Sequence, residues 1–362
     1  MSIKKDSFFS FTRKSFKEKI EQNDLKSFVA DQVFTWIYKR REFNLDNWTN
    51  VSKIVKSFLL KNFSFDLPKV ILHKKSIDGT RKFLVSFDDN KTVETVLIPA
   101  KNRLTICLST QVGCAIGCTF CHTGEMGFLR HLTNDEIVGE FLAIQVWLKE
   151  NSISNGNITN MVYMGQGEPL HNFQNVKEAT EIFLDDLGLG FGQRRITLST
   201  SGMVPQIKKL SDFPPINIAI SLHAAHDNIR SELMPINKVY DLNRLLEAIK
   251  EIPLKAHRWI TYEYLLIDGL NDRQEDIDAL ISLLSKKTSK VNLIPFNEYP
   301  QSKFKRPTID KIKWFNQSLN DKGLISTIRA TKGKDILAAC GQLKSRNDNI
   351  LPKSQTINVD QI

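Results

Sequence analysis

The sequence predicts an α/β protein whose main part is a partial (β/α)6 barrel, preceded by a small helical domain. From residue 103 onwards, short apolar segments alternate with amphipathic helical segments, which is typical of a parallel sheet with crossover helices. Earlier in the chain, apolar residues recur at helical spacing, as in Val33, Trp36 and Ile37. We therefore expect a helical accessory domain at 1–85, a connecting strand segment at 86–102, the barrel at 103–343 and a flexible tail at 344–362.

Six strand–helix units make up the predicted barrel. The predicted strands are Leu104–Leu108, Met161–Met164, Arg195–Leu198, Ile216–Ile220, Trp259–Leu266 and Val291–Pro295. The predicted helices are Asn134–Glu150, Phe173–Leu187, Val204–Leu210, Leu242–Ile252, Glu275–Ser285 and Thr308–Lys322. In barrels of this kind the chemistry lies at the C-terminal ends of the strands, so the functional residues are expected in the loops there.

A β-hairpin is predicted ahead of the barrel. Asp78–Gly79 is typical of a tight hairpin turn, and residues 82–87 have the composition of the returning strand. The next predicted strand, residues 92–98, contains Glu94. Strand propensity alone places this charged side chain on the solvent face; a functional role is the alternative.

Composition and charge narrow the class of protein. The 362 residues are 41% hydrophobic and 25% charged, as in ordinary globular proteins, and no apolar run is long enough to cross a membrane. We expect no signal peptide, because the lysine-rich N-terminus lacks an apolar core and a cleavage site. The net charge of +10 favours a polyanionic partner such as nucleic acid. Basic residues crowd the accessory domain, which predicts RNA binding there; a solvated helical face is the alternative.

Five cysteines, three of them within eight residues, indicate a reduced, cytoplasmic protein with a metal site and not a disulfide framework. Cys114, Cys118 and Cys121 form a C-x3-C-x2-C run interleaved with glycines. Three thiolates on one tight loop suit an iron–sulfur cluster that keeps one iron free for an outside ligand. Two alternatives stay open. The three cysteines could bind a zinc ion with His122 or His131 as the fourth ligand, or they could be buried core thiols that bind no metal.

Polar turns follow the other predicted strands. The second strand is followed by Gly165-Gln166-Gly167-Glu168, in which glycines let the backbone approach a ligand and the carboxylate can accept a hydrogen bond from an ammonium group. Each turn alone is ordinary, but several at successive strand ends around the cysteine loop predict one binding site. The remaining members of this set are Ser199, Ser221–Leu222–His223 and Asn297.

These motifs together resemble the RlmN/Cfr family of radical S-adenosylmethionine RNA methyltransferases, over about residues 28–343. The resemblance implies a radical S-adenosylmethionine barrel. The family usually has methionine where this chain has Gln166; Gly167 and Glu168 are retained. The matching segments are VETVLIP, QVGCAIGCTFC, MGQGEPL, RRITLSTSG, SLHA, MPIN, NLIPFN and AACGQL.

The resemblance implies a role for each of the five cysteines. Cys114, Cys118 and Cys121 would hold a [4Fe–4S] cluster, Cys340 would be methylated, and Cys107 would form a transient disulfide with it. It also implies that Glu94 is the proton acceptor, against the solvent-face interpretation. S-adenosylmethionine, two molecules per turnover, would contact Gly167, Glu168, Ser199, Ser221, Leu222, His223 and Asn297.

The resemblance further implies substrates and partners. The expected activity is methylation of C2 of an adenine in the peptidyl-transferase region of 23S rRNA and in tRNA. Flavodoxin or ferredoxin is expected to supply the electrons, and the enzyme is expected to be a monomer. C8 methylation of the same rRNA adenosine is the nearest alternative, and the segments GEPL and IPFN favour C2. A zinc-containing RNA-binding protein without turnover is the alternative from another class.

Overall fold

The computed structural model describes residues 5–153, 157–255, 257–299 and 302–344. The tail predicted to be flexible therefore lies, apart from Lys344, outside the described residues.

The N-terminal region is a helical domain packed around phenylalanines. Thr12 and Ser52 begin two of its helices by accepting hydrogen bonds from the backbone N–H groups of Ser15 and Val55. The ring of Phe8 is fully buried and contacts a surrounding set of rings. The elements are β1 (Asp6–Ser7), α1 (Arg13–Glu21), α2 (Phe28–Phe34), a π-helical turn (Thr35–Lys39), α3 (Lys53–Asn62) and β2 (Phe63–Ser64), which pairs with β1 in parallel.

Within the described residues, a ten-stranded sheet forms the rest of the framework. Its first strands are antiparallel: β3 (Lys69–Lys75), β4 (Arg81–Ser86), β5 (Thr92–Ala100) and β6 (Arg103–Leu108). A separate small hairpin follows, β7 (Gln111–Gly113) with β8 (Phe128–His131), around the short helix α4 (His122–Met126). From β6 onwards the strands of the main sheet are parallel: β9 (Asn160–Tyr163), β10 (Ile196–Thr200), β11 (Asn217–Ser221), β12 (Ile260–Leu266), β13 (Ser289–Pro295) and β14 (Ser326–Ile328).

Helices cover the outer face of the parallel strands. Because side chains alternate along a strand, Ile196 and Leu198 of β10 are buried against this layer, whereas Thr197 and Ser199 line the inside of the barrel. No helix of the described residues is long and apolar enough to span a membrane. The helices are α5 (Asn134–Glu150), α6 (Phe173–Leu184), α7 (Val204–Ile207), α8 (Asp227–Leu233), α9 (Leu242–Lys250), α10 (Gln274–Leu283) and α11 (Ile309–Asp321).

The predicted barrel with its N-terminal helical domain is confirmed, with differences at the edges. The six predicted strands and six helices are present within a few residues. The sequence did not predict the edge strand β14, the short helix α8 or the pair β1–β2. The last helix of the N-terminal region ends at Asn62. Residues 69–75 and 81–86, which fall mostly within the helical domain predicted for 1–85, are strands of the main sheet. The division into domains at residue 85 remains a prediction.

We expect Phe8→Ala to lower the free energy of unfolding by about 3–5 kcal/mol, because it removes a buried ring at the centre of the aromatic cluster. Phe28 is the matched control: its side chain is 52% exposed, so Phe28→Ala should change stability by no more than about 0.5 kcal/mol. Urea denaturation followed by circular dichroism measures both. Equal effects of the two substitutions would contradict the packing described here.

Candidate active site

The loop with three cysteines leaves the barrel directly after β6. It lies between β7 and β8 of the small hairpin and contains the helix α4. Gly113 has a φ of +80°, and a Cβ added to it would lie 2.0 Å from the carbonyl oxygen of Gly127. A glycine is therefore required at the start of the loop, where the Cys114 N–H also donates to Gly127 O at 2.8 Å.

The three thiols line a single cavity of about 170 Å³. Burial raises the pKa of Cys114 to about 12 and also raises the pKa values of Cys118 and Cys121. Among the described residues, no three His, Cys, Asp or Glu side chains are arranged to hold one metal ion. A cubane cluster needs its thiolates farther apart than a single ion does, because each binds a different iron.

The loop after β9 forms one wall of this cavity. Gly167 has a φ of +100°, and a Cβ there would lie 2.5 Å from Cβ of Gln111, so only glycine fits. Glu168 is buried, and burial raises its pKa. Its two carboxylate oxygens accept the N–H groups of Leu170 at 2.9 Å and Ser201 at 2.7 Å. These bonds join the ends of β9 and β10 and fix the carboxylate beside the cavity.

The ends of β10 and β11 continue the wall of the cavity beside the β9 loop. The hydroxyl oxygens of Ser199 and Ser221 lie 3.5 Å apart, and both side chains line the cavity. His223 also lines it, and its Nδ1 atom accepts the N–H of Leu265 at 3.1 Å. Burial lowers the pKa of His223 to about 3, so the ring is neutral. Leu222 is fully buried and does not line the cavity.

Arg230 connects the ends of β10 and β11 by hydrogen bonds. It was not among the residues predicted from the sequence. Its side chain is 1% exposed, and its guanidinium donates to the carbonyl oxygens of Leu222 at 3.0 Å and Ser201 at 2.8 Å. A third bond goes to Oδ1 of Asn237 at 2.8 Å. Asn237 belongs to the MPIN segment, which was the available sequence signal for this network.

A second, larger cavity of about 600 Å³ fills the inside of the barrel. Cys107, from β6, and Cys340, from the C-terminal segment, both line it, although they are far apart in the sequence. Burial raises the pKa of the Cys107 thiol, and the nearby Cys340 thiol raises it further. Asn297 lines this cavity and not the cysteine cavity; its Nδ2 atom donates to the carbonyl oxygen of Cys340 at 3.3 Å.

The segment 331–344, here called the return segment, runs from the β3–β4 turn to the cysteine loop and is held at both of these places. On the cysteine loop, the His122 N–H donates to Gly341 O at 2.7 Å, and the Thr123 hydroxyl donates to Leu343 O at 2.7 Å. The β3–β4 hairpin contributes four hydrogen bonds. Ser76 Oγ and the Ile77 N–H donate to Asp335 at 2.5 and 3.1 Å, Lys82 Nζ donates to Leu337 O at 3.0 Å, and Asp78 accepts the N–H of Gly333 at 3.0 Å.

Arg329 and Glu263 lie where the two cavities meet, and neither was predicted. Both line both cavities, together with Met164 and Cys340. The Cys340 thiol is the main cause that raises the pKa of Arg329. An Nη1 atom of Arg329 lies 3.9 Å from Glu263 and 3.6 Å from the sulfur of Met164. Arg329 directly follows the edge strand β14, so a prediction that missed this strand also missed the arginine.

Glu94 is buried, so the solvent-face interpretation was wrong. Its carboxylate lies 2.8 Å from Nζ of Lys82 and accepts the N–H of Lys344 at 2.7 Å. The backbone N–H of Glu94 donates to Oε1 of Gln166 at 3.1 Å, so the residue that departs from the family pattern supports this strand. Glu94 lines neither cavity, but Val96, the next residue on the same face of β5, lines the larger one.

The chain matches two protein families over separate stretches. It matches the Radical SAM superfamily over residues 108–283 and the ribosomal RNA large subunit methyltransferase N-terminal domain over residues 7–64. It is 41% identical over 345 residues to the dual-specificity RNA methyltransferase RlmN of a Nitratiruptor species, covering 91% of this chain and 96% of that one. This chain belongs to the RlmN family.

Other relatives agree with this assignment to the RlmN family. The dual-specificity RNA methyltransferase RlmN of Dichelobacter nodosus is 42% identical over 360 residues, covering 97% of this chain and 98% of that one. The crystal structure of a radical SAM methyltransferase from Sphaerobacter thermophilus superposes with a TM-score of 0.85 at 36% identity, covering 94% of this chain and 99% of that one. The predicted family and fold are confirmed.

As a member of the RlmN family, the chain is an S-adenosylmethionine-dependent radical SAM RNA methyltransferase that uses a [4Fe–4S] cluster. The residues fit these groups. Three thiols face one cavity, and backbone N–H groups of Ile116 and Gly117 point at the sulfur of Cys114, which favours a thiolate ligand. The same cavity is lined by three serine hydroxyls, a neutral imidazole and the carboxylates of Glu168 and Glu263, which are suitable partners for a polar cofactor.

A buried carboxylate behind Glu94 makes the stability of the fold depend on pH. Glu140 of α5 accepts bonds from the Thr95 hydroxyl at 2.6 Å and from the Ser109 N–H at 3.2 Å. Burial raises its pKa to about 8. In the unfolded chain the pKa returns to about 4.3, so the native state holds the proton more tightly. The native state therefore loses stability as the pH rises from about 4 to about 8.

We expect Glu140→Gln to flatten this pH dependence, because an uncharged amide resembles the protonated carboxyl. At pH 8 the variant should be more stable than the unmodified protein by about 1–3 kcal/mol, with little difference at pH 5. Denaturant unfolding between pH 5 and 8 measures this. Glu150→Gln, at an exposed position on the same helix, is the control and should follow the unmodified protein. A Glu140→Gln curve parallel to that of the unmodified protein would show that Glu140 is ionised throughout.

Proposed function

We propose that this enzyme methylates C2 of an adenine in 23S rRNA and in tRNA through a methylated Cys340. The relatives named above are dual-specificity RNA methyltransferases, which supports RNA as the substrate. The observation that carries the proposal is that Cys107 and Cys340 line one cavity, with Cys340 also facing the cavity of the three cluster cysteines. The return segment supplies the contact between distant parts of the sequence that this chemistry requires.

Adenine C2 is an electron-poor aromatic carbon, so it does not attack the methyl group of S-adenosylmethionine as an amine would. In the proposed route the Cys340 thiolate first attacks the methyl group of one S-adenosylmethionine. It becomes a thioether, and S-adenosylhomocysteine leaves. When bound, the cluster and a second S-adenosylmethionine supply the 5′-deoxyadenosyl radical that removes a hydrogen atom from this methyl group. Cys340 then joins its methylene carbon to C2.

Release of the product requires the other two proposed catalytic residues. Restoring the aromatic ring removes the C2 proton and one electron from the adduct. Glu94 accepts the proton, and the electron would return to the cluster, which gives up one electron when S-adenosylmethionine is cleaved. The Cys107 thiolate attacks the sulfur of Cys340, a disulfide forms, and the carbon that leaves takes up a proton to become the methyl group of the product. An external dithiol then reduces the disulfide before the next turnover.

The position of Glu94 constrains its proposed role. Its carboxylate is held by the ammonium group of Lys82 and by the backbone N–H of Lys344, and both of these partners suit a negatively charged oxygen. Glu94 lines neither cavity, so this role requires its carboxylate to be reached from the larger cavity, which Val96 of the same strand lines. The S-adenosylmethionine contacts of Gly167, Glu168, Ser199, Ser221 and His223 are supported by their place on the cysteine cavity.

Two other predicted contacts need a different interpretation. Leu222 can act only through its position between Ser221 and His223, because its side chain is in the core. Asn297 fits better as a support for Cys340, whose carbonyl oxygen it binds. RNA binding by the accessory domain, electron supply by flavodoxin or ferredoxin, and a monomeric state remain predictions.

Nucleoside analysis of RNA from cells lacking this protein tests the proposed function. We expect 2-methyladenosine to disappear from 23S rRNA and tRNA and to return when the gene is restored. Chromatography with mass spectrometry separates it from 8-methyladenosine. Unchanged 2-methyladenosine would contradict the proposal, and loss of 8-methyladenosine would show the alternative position of methylation.

We expect Cys340→Ala and Cys107→Ala to fail at different steps. Cys340→Ala removes the carrier, so neither methylated protein nor methylated RNA should form. Cys107→Ala removes the thiol that breaks the carbon–sulfur bond, so protein covalently bound to RNA should accumulate on denaturing gels. Both variants should retain the iron content of the unmodified protein, which is the control for an intact cluster. Normal RNA methylation by either variant would exclude the covalent route.

A further inference from the structure

The larger cavity extends from the two thiols to the opposite end of the barrel. At one end it is lined by Cys107 and Cys340. At the other it is lined by residues at or next to the beginnings of parallel strands: Arg103, Asn160, Arg195 and Lys290. The side chains of Arg103 and Arg195 are exposed, so this end is open to solvent. The cavity is therefore a passage from the N-terminal strand ends to the reactive sulfurs.

Most of the charged side chains along this passage are positive. Arg103, Arg195, Lys290 and Lys332, here called the basic rim, line it in addition to Arg329. Glu263 is the one acidic side chain among the described residues that line the cavity. It lies beside Arg329, and within the described chain no member of the basic rim forms an ion pair. Lys290 also interacts electrostatically with Glu263. The other three members, Arg103, Arg195 and Lys332, are exposed or half-buried and have no ion pair within the described chain, which favours a polyanion at this opening.

The two cavities meet at the carrier thiol. Met164, Glu263, Ile294, Arg329, Cys340 and Leu343 line both of them. The cluster cysteines and Glu168 line only the smaller one, and the basic rim lines only the larger one. Cys340 can therefore be reached both from the smaller cavity, which the cluster cysteines line, and from the larger cavity, which the basic rim lines.

A groove continues the passage towards the N-terminal domain. It shares Pro99, Ala100 and Arg103 with the barrel cavity. Its further charged residues are three cations and two glutamates: Arg41, Lys101, Lys149, Glu42 and Glu150. The Nε atom of Arg41 is buried and has no hydrogen-bond partner among the described residues. An unsatisfied guanidinium N–H in this groove can donate to a phosphate oxygen.

We propose that the substrate adenosine is flipped into the barrel from the N-terminal strand ends, with the basic rim and the groove at Arg41 holding the phosphates beside it. The base and S-adenosylmethionine then approach Cys340 from opposite sides. A volume of about 600 Å³ is within the range of sites for compounds of this size. Enzymes that modify a base inside a folded RNA must take it out of its stack, and a deep pocket with a cationic opening serves that purpose. This inference rests on the proposed function.

The test compares two double charge reversals. Arg195→Glu with Lys290→Glu changes the basic rim, and Lys250→Glu with Lys313→Glu makes the same change in net charge at exposed positions on α9 and α11. We expect the rim variant to raise the KM for an RNA hairpin containing the target adenosine by about tenfold or more, with methylation of Cys340 unchanged in protein mass spectra. The salt dependence of RNA binding should also fall, by about 0.7 in log–log slope for each phosphate that the variant no longer neutralises.

A second variant tests the passage without changing charge. Thr197→Trp places a large ring inside the barrel, where it should block the base but leave the cysteine cavity open, so Cys340 should be methylated while RNA is not. An unchanged KM in the rim variant, an equal rise in the control, or joint loss of Cys340 methylation would overturn the route. If the unmodified enzyme leaves the RNA hairpin unmethylated, the proposed function fails instead, so the two failures are distinct.

Discussion

The return segment is the constraint on which the site depends. It must place Cys340 beside the cluster cysteines and beside Cys107 at the same time, although the segment has little regular structure of its own. Its position comes from hydrogen bonds to the cysteine loop, to the end of β13 and to the β3–β4 hairpin. Most of these bonds go to backbone carbonyl groups of the return segment or to Asp335, so they fix the path of the chain and leave the Cys340 side chain free to react.

The parallel strands bring the remaining groups together. Loops after successive strands meet at one end of the barrel, and buried charges join them through backbone groups. Glu168 accepts N–H groups and Arg230 donates to carbonyl groups, so each charge satisfies polar atoms that the strand ends would otherwise leave unpaired. The polar inner face of β10 and the apolar outer face follow from strand alternation, which separates the reaction space from the helical layer.

Much of this arrangement could be predicted because its causes are local in the sequence. Alternating patterns located the six strands, and glycines marked the loops where a Cβ would collide with neighbouring atoms. The environment of Glu94 could not be predicted from the sequence pattern, because its partners Lys82 and Lys344 come from another strand and from the distant return segment. Arg329 was missed for a similar reason: its importance comes from lying beside Cys340, and nothing in its own neighbourhood indicates this.

The edge strand and the N-terminal boundary show a second limit of sequence patterns. β14 has only three residues, and its partner β13 supplies most of the apolar contact, so its own signal is weak. The strands at 69–86 carry a clear hairpin pattern, but whether a hairpin joins the main sheet is decided by pairing of β5 with β6. Pairing between distant strands is a property of the whole fold and leaves little trace in either segment.

The contact between Ser76 and Asp335 joins residues 259 positions apart, and Glu94 binds Lys344 across 250 positions. Such contacts are expected to form late in folding, because the entropy of closing a long loop is lost before the contact contributes any stabilising free energy. During synthesis, the cysteine loop and the parallel strands would emerge from the ribosome long before the return segment. A chain synthesised only as far as the parallel strands could therefore assemble the iron-binding part while lacking the carrier sulfur, and the reactive centre is complete only once the return segment has followed.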